Sequence, residues 1–193
     1  MQVRQIGPMG FSVAAGECVC LAGASGAGKS ILMRALADME PHRGEVYLDG
    51  AACFTIAPPQ WRRRVGLLAA ESAWWHDRVG AHFPRMDETL LAELGFETAV
   101  MAADVHRLST GERQRLALLH LLMQQPDALL LDEPTASLDP ENTRRVEALL
   151  TRYRETQGAS VLWVSHDPLQ AQRVAQRRWR LEEGRLHEEG ISP

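Results

Sequence analysis

Eight residues, Gly23-Ala24-Ser25-Gly26-Ala27-Gly28-Lys29-Ser30, follow the pattern G-x-x-x-x-G-K-[ST]. A glycine-rich turn of this kind lets the backbone curl until several N–H groups converge, and a helix starting at its end aims its positive pole at the same point. The guest that suits such a cradle is a polyphosphate. Lys29 would reach the β- and γ-phosphates, and the Ser30 hydroxyl would ligate Mg²⁺. Breaking a phosphoanhydride there also needs a metal anchor, a group to orient or deprotonate water, and a sensor of the terminal phosphate. The apolar run Ala128-Leu129-Leu130-Leu131 ends in Asp132-Glu133, and Ser160-Val161-Leu162-Trp163-Val164-Ser165 ends in His166-Asp167. Asp132 is the candidate Mg²⁺ anchor and Glu133 the candidate general base. His166 could hydrogen-bond both the terminal phosphate and the water.

The elements that must position these groups are legible in the pattern of residues. Glu17 to Ala22 is a short apolar run suited to a buried strand, and Ile31 to Ala37 carries helix formers with an apolar stripe. Strand, glycine turn and helix form the context the pattern requires. Ser109-Thr110-Gly111-Glu112 reads as an S-x-x-E capping box opening an amphipathic helix through Leu122. Asp139-Pro140 offers an N-cap followed by an N1 proline, and Gly158 marks that helix's end. Strands that alternate with helices predict a parallel sheet, and every polar candidate falls just beyond a strand's carboxyl end, where open α/β sheets bind ligands. Elsewhere the sequence predicts short strands at the N-terminus and around Phe11-Ser12-Val13, a hairpin turn at Asp49-Gly50, a second buried strand over 65–70, and a helix over 87–94. Of the adjacent Trp74 and Trp75, one is expected at a surface, because neighbouring positions diverge by about 100° on a helix.

The chain has 193 residues, enough for one substantial core, and its 25 acidic against 21 basic residues leave a net charge of -4. That balance lacks the basic footprint of a duplex binder, so no nucleic-acid partner is expected. Arg62-Arg63-Arg64 and Arg177-Arg178 are read as solvated faces. Cys18, Cys20 and Cys53 lack metal-ligand spacing and are read as buried, reduced thiols of a cytosolic protein. Neither a signal-peptide pattern nor an 18-residue apolar run occurs, so a membrane role would come through a partner.

Taken in order, the glycine-rich segment, Leu108-Ser109-Thr110-Gly111-Glu112-Arg113-Gln114-Arg115, Leu129 to Asp139 and Val164-Ser165-His166-Asp167 resemble the ATP-binding cassette (ABC) ATPase family, over about Phe11 to Asp167. The resemblance implies an α/β fold: a P-loop NTPase core with a mostly parallel sheet, a small antiparallel β lobe and a short helical subdomain. It implies one domain over 1–193, with the core from roughly 1–70 and 115–193 and the helical lobe from roughly 71–114. It implies ATP and Mg²⁺ as cofactors, Lys29, Glu133 and His166 as catalytic residues, and Ser30 and Asp132 at the metal. By the same resemblance, Ser109, Thr110, Gly111 and Glu112 form a signature loop that binds ATP held by a second copy, with Asp139 communicating across the pair. One cradle and one signature per chain imply a head-to-tail homodimer formed on ATP binding.

Three departures from the family pattern stand out. Thr110 replaces a usual glycine and Glu112 a frequent glutamine; Ala70-Glu71 stands where a glutamine is usual; and no Tyr or Trp precedes Tyr47, so that stacking on adenine is either lost or supplied by Phe11. The function implied is the ATP-hydrolysing subunit of a transporter, cytoplasmic and peripheral on the membrane's cytoplasmic face. Its membrane subunit would dock near Glu71 to Met86 through Trp74, Trp75, Phe83 and Met86. Two other functions compete: a soluble, non-transport ABC ATPase, whose second cassette or coiled-coil insertion this sequence has no room for, and a nucleotide sensor with feeble turnover.

Overall fold

The computed structural model describes residues 1–190. Its main sheet has six strands in the order β4-β5-β6-β1-β7-β8. The five from β4 (Val65–Leu68) through β5 (Ala128–Asp132), β6 (Ser160–Val164) and β1 (Cys18–Ala22) to β7 (Arg177–Glu182) are parallel. β8 (Arg185–Glu189) closes one edge antiparallel to β7. Strands covered on both faces read as unbroken apolar runs, and every residue of β1 and β5 is buried.

Side chains alternate across each strand, and they divide the core into two layers. Leu129, Leu131, Val161 and Trp163 face α4 (Thr110–Leu122) and α5 (Pro140–Gln157), where Leu116, Leu119, Val146 and Leu150 meet them. Val19, Leu21, Leu130, Leu162 and Val164 face the opposite way, onto Leu32 and Met33 of α1 (Lys29–Leu36) and Trp61 of α2 (Pro58–Arg64). The indole N–H of Trp61 donates to Leu36 O at 2.9 Å, tying α2 to the end of α1. Asp49-Gly50, both at positive φ, turn a hairpin between two-residue strands β2 (Tyr47–Leu48) and β3 (Ala51–Ala52).

The helix boundaries follow their expected caps. Ser109 and Glu112 close a reciprocal capping box: the Ser109 N–H donates to Glu112 Oε2 at 2.8 Å, and the Glu112 N–H donates to Ser109 Oγ at 3.2 Å. Asp139 Oδ1 accepts from the N–H groups of Glu141 and Asn142 at 2.9 Å, and Gly158 ends α5 at φ +67°. Asp87 caps α3 (Glu88–Glu93) through the Leu90 N–H.

Several expectations are corrected. Phe11-Ser12-Val13 forms no strand, and the first residues make only isolated bridges, Gln2 with Arg43 and Val3 with Ile6. The Gly-Pro-x-Gly stretch before Phe11 interrupts any ladder, and Ser12 O accepts instead from the Arg177 guanidinium at 2.6 Å. Arg177 and Arg178 are not a solvated face: they lie on β7, Arg177 paired with Glu17 and stacked over Trp179, Arg178 paired with Glu189. Between β4 and α4 the chain makes one short α-helix, α3, and three 3₁₀ stretches, Val79–His82, Thr98–Ala102 and Val105–Arg107. Val79, Leu91, Leu94 and Val105 of this stretch pack into the same apolar layer as α4 and α5.

Candidate functional site

β1 ends at Ala22, and the glycine turn carries the chain into α1. A Cβ on Gly23 would lie 2.5 Å from Leu181 O on β7, so the turn passes close against the sheet. Gly28, the N-cap of α1, sits at φ +100° and lends no side chain to the helix's first amides. No acidic residue occupies that first turn. The free N–H groups and the helix's positive end therefore face outward together, and the cradle fits an anion. Lys29 is buried, with Nζ donating to Gly23 O at 2.8 Å and Ala24 O at 3.0 Å. Burial holds its pKa below the ordinary lysine value, although the carboxylates of Glu133 and Asp132 pull the other way. Ser30 stands exposed at the helix start.

Asp132 closes β5 and is 6% exposed, aligned with Val164 of the neighbouring strand. Glu133 follows at φ +50°, a left-handed conformation uncommon outside glycine. This twist, together with the Glu133 N–H donating to Val164 O at 3.2 Å, turns the side chain across the strand ends. Glu133 Oε1 meets His166 Nε2 at 2.9 Å. Two residues placed 33 positions apart in the sequence thus share one contact, because β5 and β6 are adjacent. The cradle, Asp132, Glu133 and His166 all lie at the carboxyl edge of the sheet, with Lys29 close enough to both acids to feel their charge.

The signature segment lies elsewhere on the same edge. Gln114 Nε2 donates to Ala69 O at 3.1 Å, which fastens the first turns of α4 beside the end of β4. A Cβ on Gly111 would meet Ser137 O at 2.8 Å, so the capped start of α4 packs directly on the loop leading to Asp139. Hydrogen bonds from Ser109 hold Glu112 below the usual carboxylate range. Hydrogen bonds from Asn142 lower the pKa of Asp139 in the same way. The Thr110 hydroxyl accepts from Arg113 at 3.3 Å. Ala70 and Glu71 are exposed, so the charge of Glu71 remains in water.

Phe11 sets its ring edge-on to Trp179, with centroids 5.0 Å apart, and is half-buried against the core. Phe83, named from the sequence as a docking residue, is buried and Trp74 and Met86 are partly buried in the core, so Trp75, 66% exposed, is the large apolar side chain that this stretch leaves exposed. A cavity of about 670 Å³ lined by Met9, Phe11, Trp61 and Val161 is separate from the phosphate cradle, because it opens at the strands' amino ends.

Sequence reasoning missed a buried polar cluster beneath the strand ends, made by Thr135, Glu147, Ser165 and Gln170. Thr135 and Ser165 stand inside the quoted motifs. Gln170 and Glu147 carried no signal, since each stands among other polar residues of its helix and nothing local marks it as buried.

The family model described as ABC transporter matches residues 6–136. The phosphonates import ATP-binding protein PhnC of Trichormus variabilis is 37% identical, over 91% of this chain and 81% of that protein. Protein STAR1 of Oryza sativa subsp. japonica is 35% identical over 86% of this chain, which spans about half, 51%, of that relative's length. Among solved structures, a dimeric ATP-binding cassette in a post-hydrolysis state bound to ADP and Pi superposes with a TM-score of 0.86 at 22% identity, covering 99% of this chain and 92% of that one. A bacterial Atm1-family ABC exporter with ATP bound gives 0.83 at 23% identity over 96% of this chain and 36% of the exporter. With the cradle, the paired Glu133 and His166 and the capped α4 arranged on this sheet, the chain belongs to the ABC transporter family, and its fold is that of the ATP-binding cassette.

Proposed function

We propose that the protein is the ATP-hydrolysing, nucleotide-binding subunit of a membrane transporter. The observation that carries this reading is the Glu133–His166 contact of 2.9 Å at the same sheet edge as the phosphate cradle. In the hydrolytic step, amides of residues 24 to 30 cradle the phosphates and Lys29 follows the β- and γ-oxygens. Glu133 takes a proton from the water in line with the γ-phosphate, and His166 orients that carboxylate and senses the phosphate. Ser30 and Asp132 would hold Mg²⁺, which would neutralise negative charge on the phosphates. The donor set, one exposed hydroxyl and one buried carboxylate, is made of the oxygen ligands that suit that hard cation.

The site needs a second copy to be complete. From β1 to β4 there are three strand steps, about 14 Å at the usual spacing of 4.7–4.9 Å. The start of α4 stands beside β4, beyond side-chain reach of the cradle after β1. Ser109, Thr110, Gly111 and Glu112 therefore serve a nucleotide held by the partner chain, and two chains meet head to tail on ATP. Among the described residues, no helix is long and apolar enough to cross a membrane; this reading gives membrane association to a separate subunit. Trp75 is the docking point that this reading assigns to it.

The test is Glu133→Gln. Turnover should fall by about 10²–10⁴-fold, the worth of a general base, and an ATP-bound dimer should accumulate in light scattering. Unchanged turnover with a monomeric ATP complex would remove Glu133 from the base role.

A further inference from the structure

We propose that Gln170 is a positioning residue for hydrolysis, its carboxamide clamping the loop that carries Glu133 to the loop that carries His166. The inference rests on the reading of those two residues given above and adds what holds them at working distance. Gln170 lies on α6 (Pro168–Val174) and is 4% exposed. The oxygen and both N–H bonds of its carboxamide are engaged. Its Oε1 accepts from the Ser165 hydroxyl at 2.8 Å, and its Nε2 donates to Thr135 Oγ1 and to Glu147 Oε1, each at 2.8 Å. The Ser165 oxygen in turn accepts from the Asp167 N–H at 3.1 Å, so both residues flanking His166 are held by one hydroxyl. Thr135 lies two positions beyond Glu133 and Ser165 one before His166. Glu147 is anchored from the other side by Arg173, whose Nε and Nη2 donate to its two oxygens at 3.0 and 2.8 Å.

This arrangement has the form of a built device. A buried polar network with every member satisfied is rigid, whereas one broken link leaves the rest unpaired in a low-dielectric interior. The element it holds is strained: Glu133 at φ +50° persists only where its surroundings over-determine it. The hydrogen bonds of Gln170 go to Ser165, Thr135 and Glu147 and to neither Lys29 nor the glycine turn. Its effect therefore falls on the placing of base and sensor and leaves phosphate binding alone.

Gln170→Leu keeps the volume and removes the amide. Displacing a reacting group by about 1 Å costs about 10²-fold, so kcat for ATP should fall roughly 10–100-fold, while the Kd for a fluorescent ATP analogue stays within about twofold. In a Glu133→Gln background the same change should give no further loss, because the group it positions is already gone. Leu149→Ala, which empties core volume on α5 without touching the network, should lower thermal stability and leave kcat unchanged. If Gln170→Leu does not fold, Thr135→Val cuts one link of the same clamp and should show the same loss of kcat at constant Kd. Turnover retained by Glu133→Gln would overturn the underlying reading of the site. Turnover lost in Glu133→Gln but retained in Gln170→Leu, or an equal further loss in the double variant, would overturn the clamp alone.

Discussion

Replacing Gly28 by Ala tests how the cradle is built. Gly28 has φ +100° and ψ 13°, and an added Cβ would lie 2.2 Å from Ile6 Cδ1 and 3.0 Å from Ile6 Cγ1. Two penalties follow. A left-handed backbone costs an L-residue roughly 1–2 kcal/mol. Forcing a methyl into occupied core costs about 1–3 kcal/mol, since Ile6 is only 5% exposed and can swing aside only in part. Gly28→Ala should therefore lose about 2–5 kcal/mol, the sum of those two ranges. Ile6→Val deletes the offending Cδ1 and by itself costs about 0.5–1.5 kcal/mol. The double variant should be more stable than the sum predicts, because the clash goes and the backbone strain remains. Urea unfolding of the nucleotide-free protein measures all four corners of the cycle, free of the stabilisation that ligand adds. Additivity within about 0.5 kcal/mol would show that Ile6 does not back the loop, and the packing argument would fail. Weakened nucleotide binding in Gly28→Ala that Ile6→Val partly restores would tie the same contact to the alignment of the amides.

Three further outcomes are expected. Ser109→Ala removes the hydroxyl half of the capping box, leaving the backbone N–H of residue 109 on Glu112, and should cost about 1 kcal/mol in urea unfolding; a loss within error would mean that the hydroxyl cap does not hold α4. Glu17, Glu112 and Asp139 are each held below their ordinary pKa, by Arg177, Ser109 and Asn142 respectively. Their stabilisation is complete above the unfolded values near pH 4 and is lost as pH falls through the lower folded values. Glu17→Gln should accordingly flatten the drop in urea midpoint between pH 6 and pH 3, and an unaltered drop would exclude that pair as a contributor. Burial pushes the Cys18 thiol up to about 12 and Cys20 to about 11, while Cys53 is raised but less enclosed. A thiol reagent at pH 8 should label Cys53 well before the other two, since the thiolate is the reactive form; equal rates would contradict the buried β1.

The sequence by itself determined the cradle, the two acids after β5, the histidine after β6 and the caps of α4 and α5. These depend on local rules: glycines where the backbone curls, a serine three residues before a glutamate, an aspartate before a proline. It also determined the parallel core, because unbroken apolar runs such as Ala128 to Leu131 suit only strands covered on both faces. The tertiary structure alone decided what those local rules leave open. Arg177 and Arg178 become strand residues because Glu17 and Glu189 stand opposite them, partners far away in the chain or across a turn. Phe11 turns to Trp179 rather than outward. The pairing of Glu133 with His166, and the carboxamide of Gln170 beneath them, arise from the adjacency of β5 and β6 and from a helix packed under their ends. The contacts of Glu133 with His166 and of Gln170 with Thr135 join residues more than thirty positions apart, and no periodicity of hydrophobic residues encodes which strand will lie beside which.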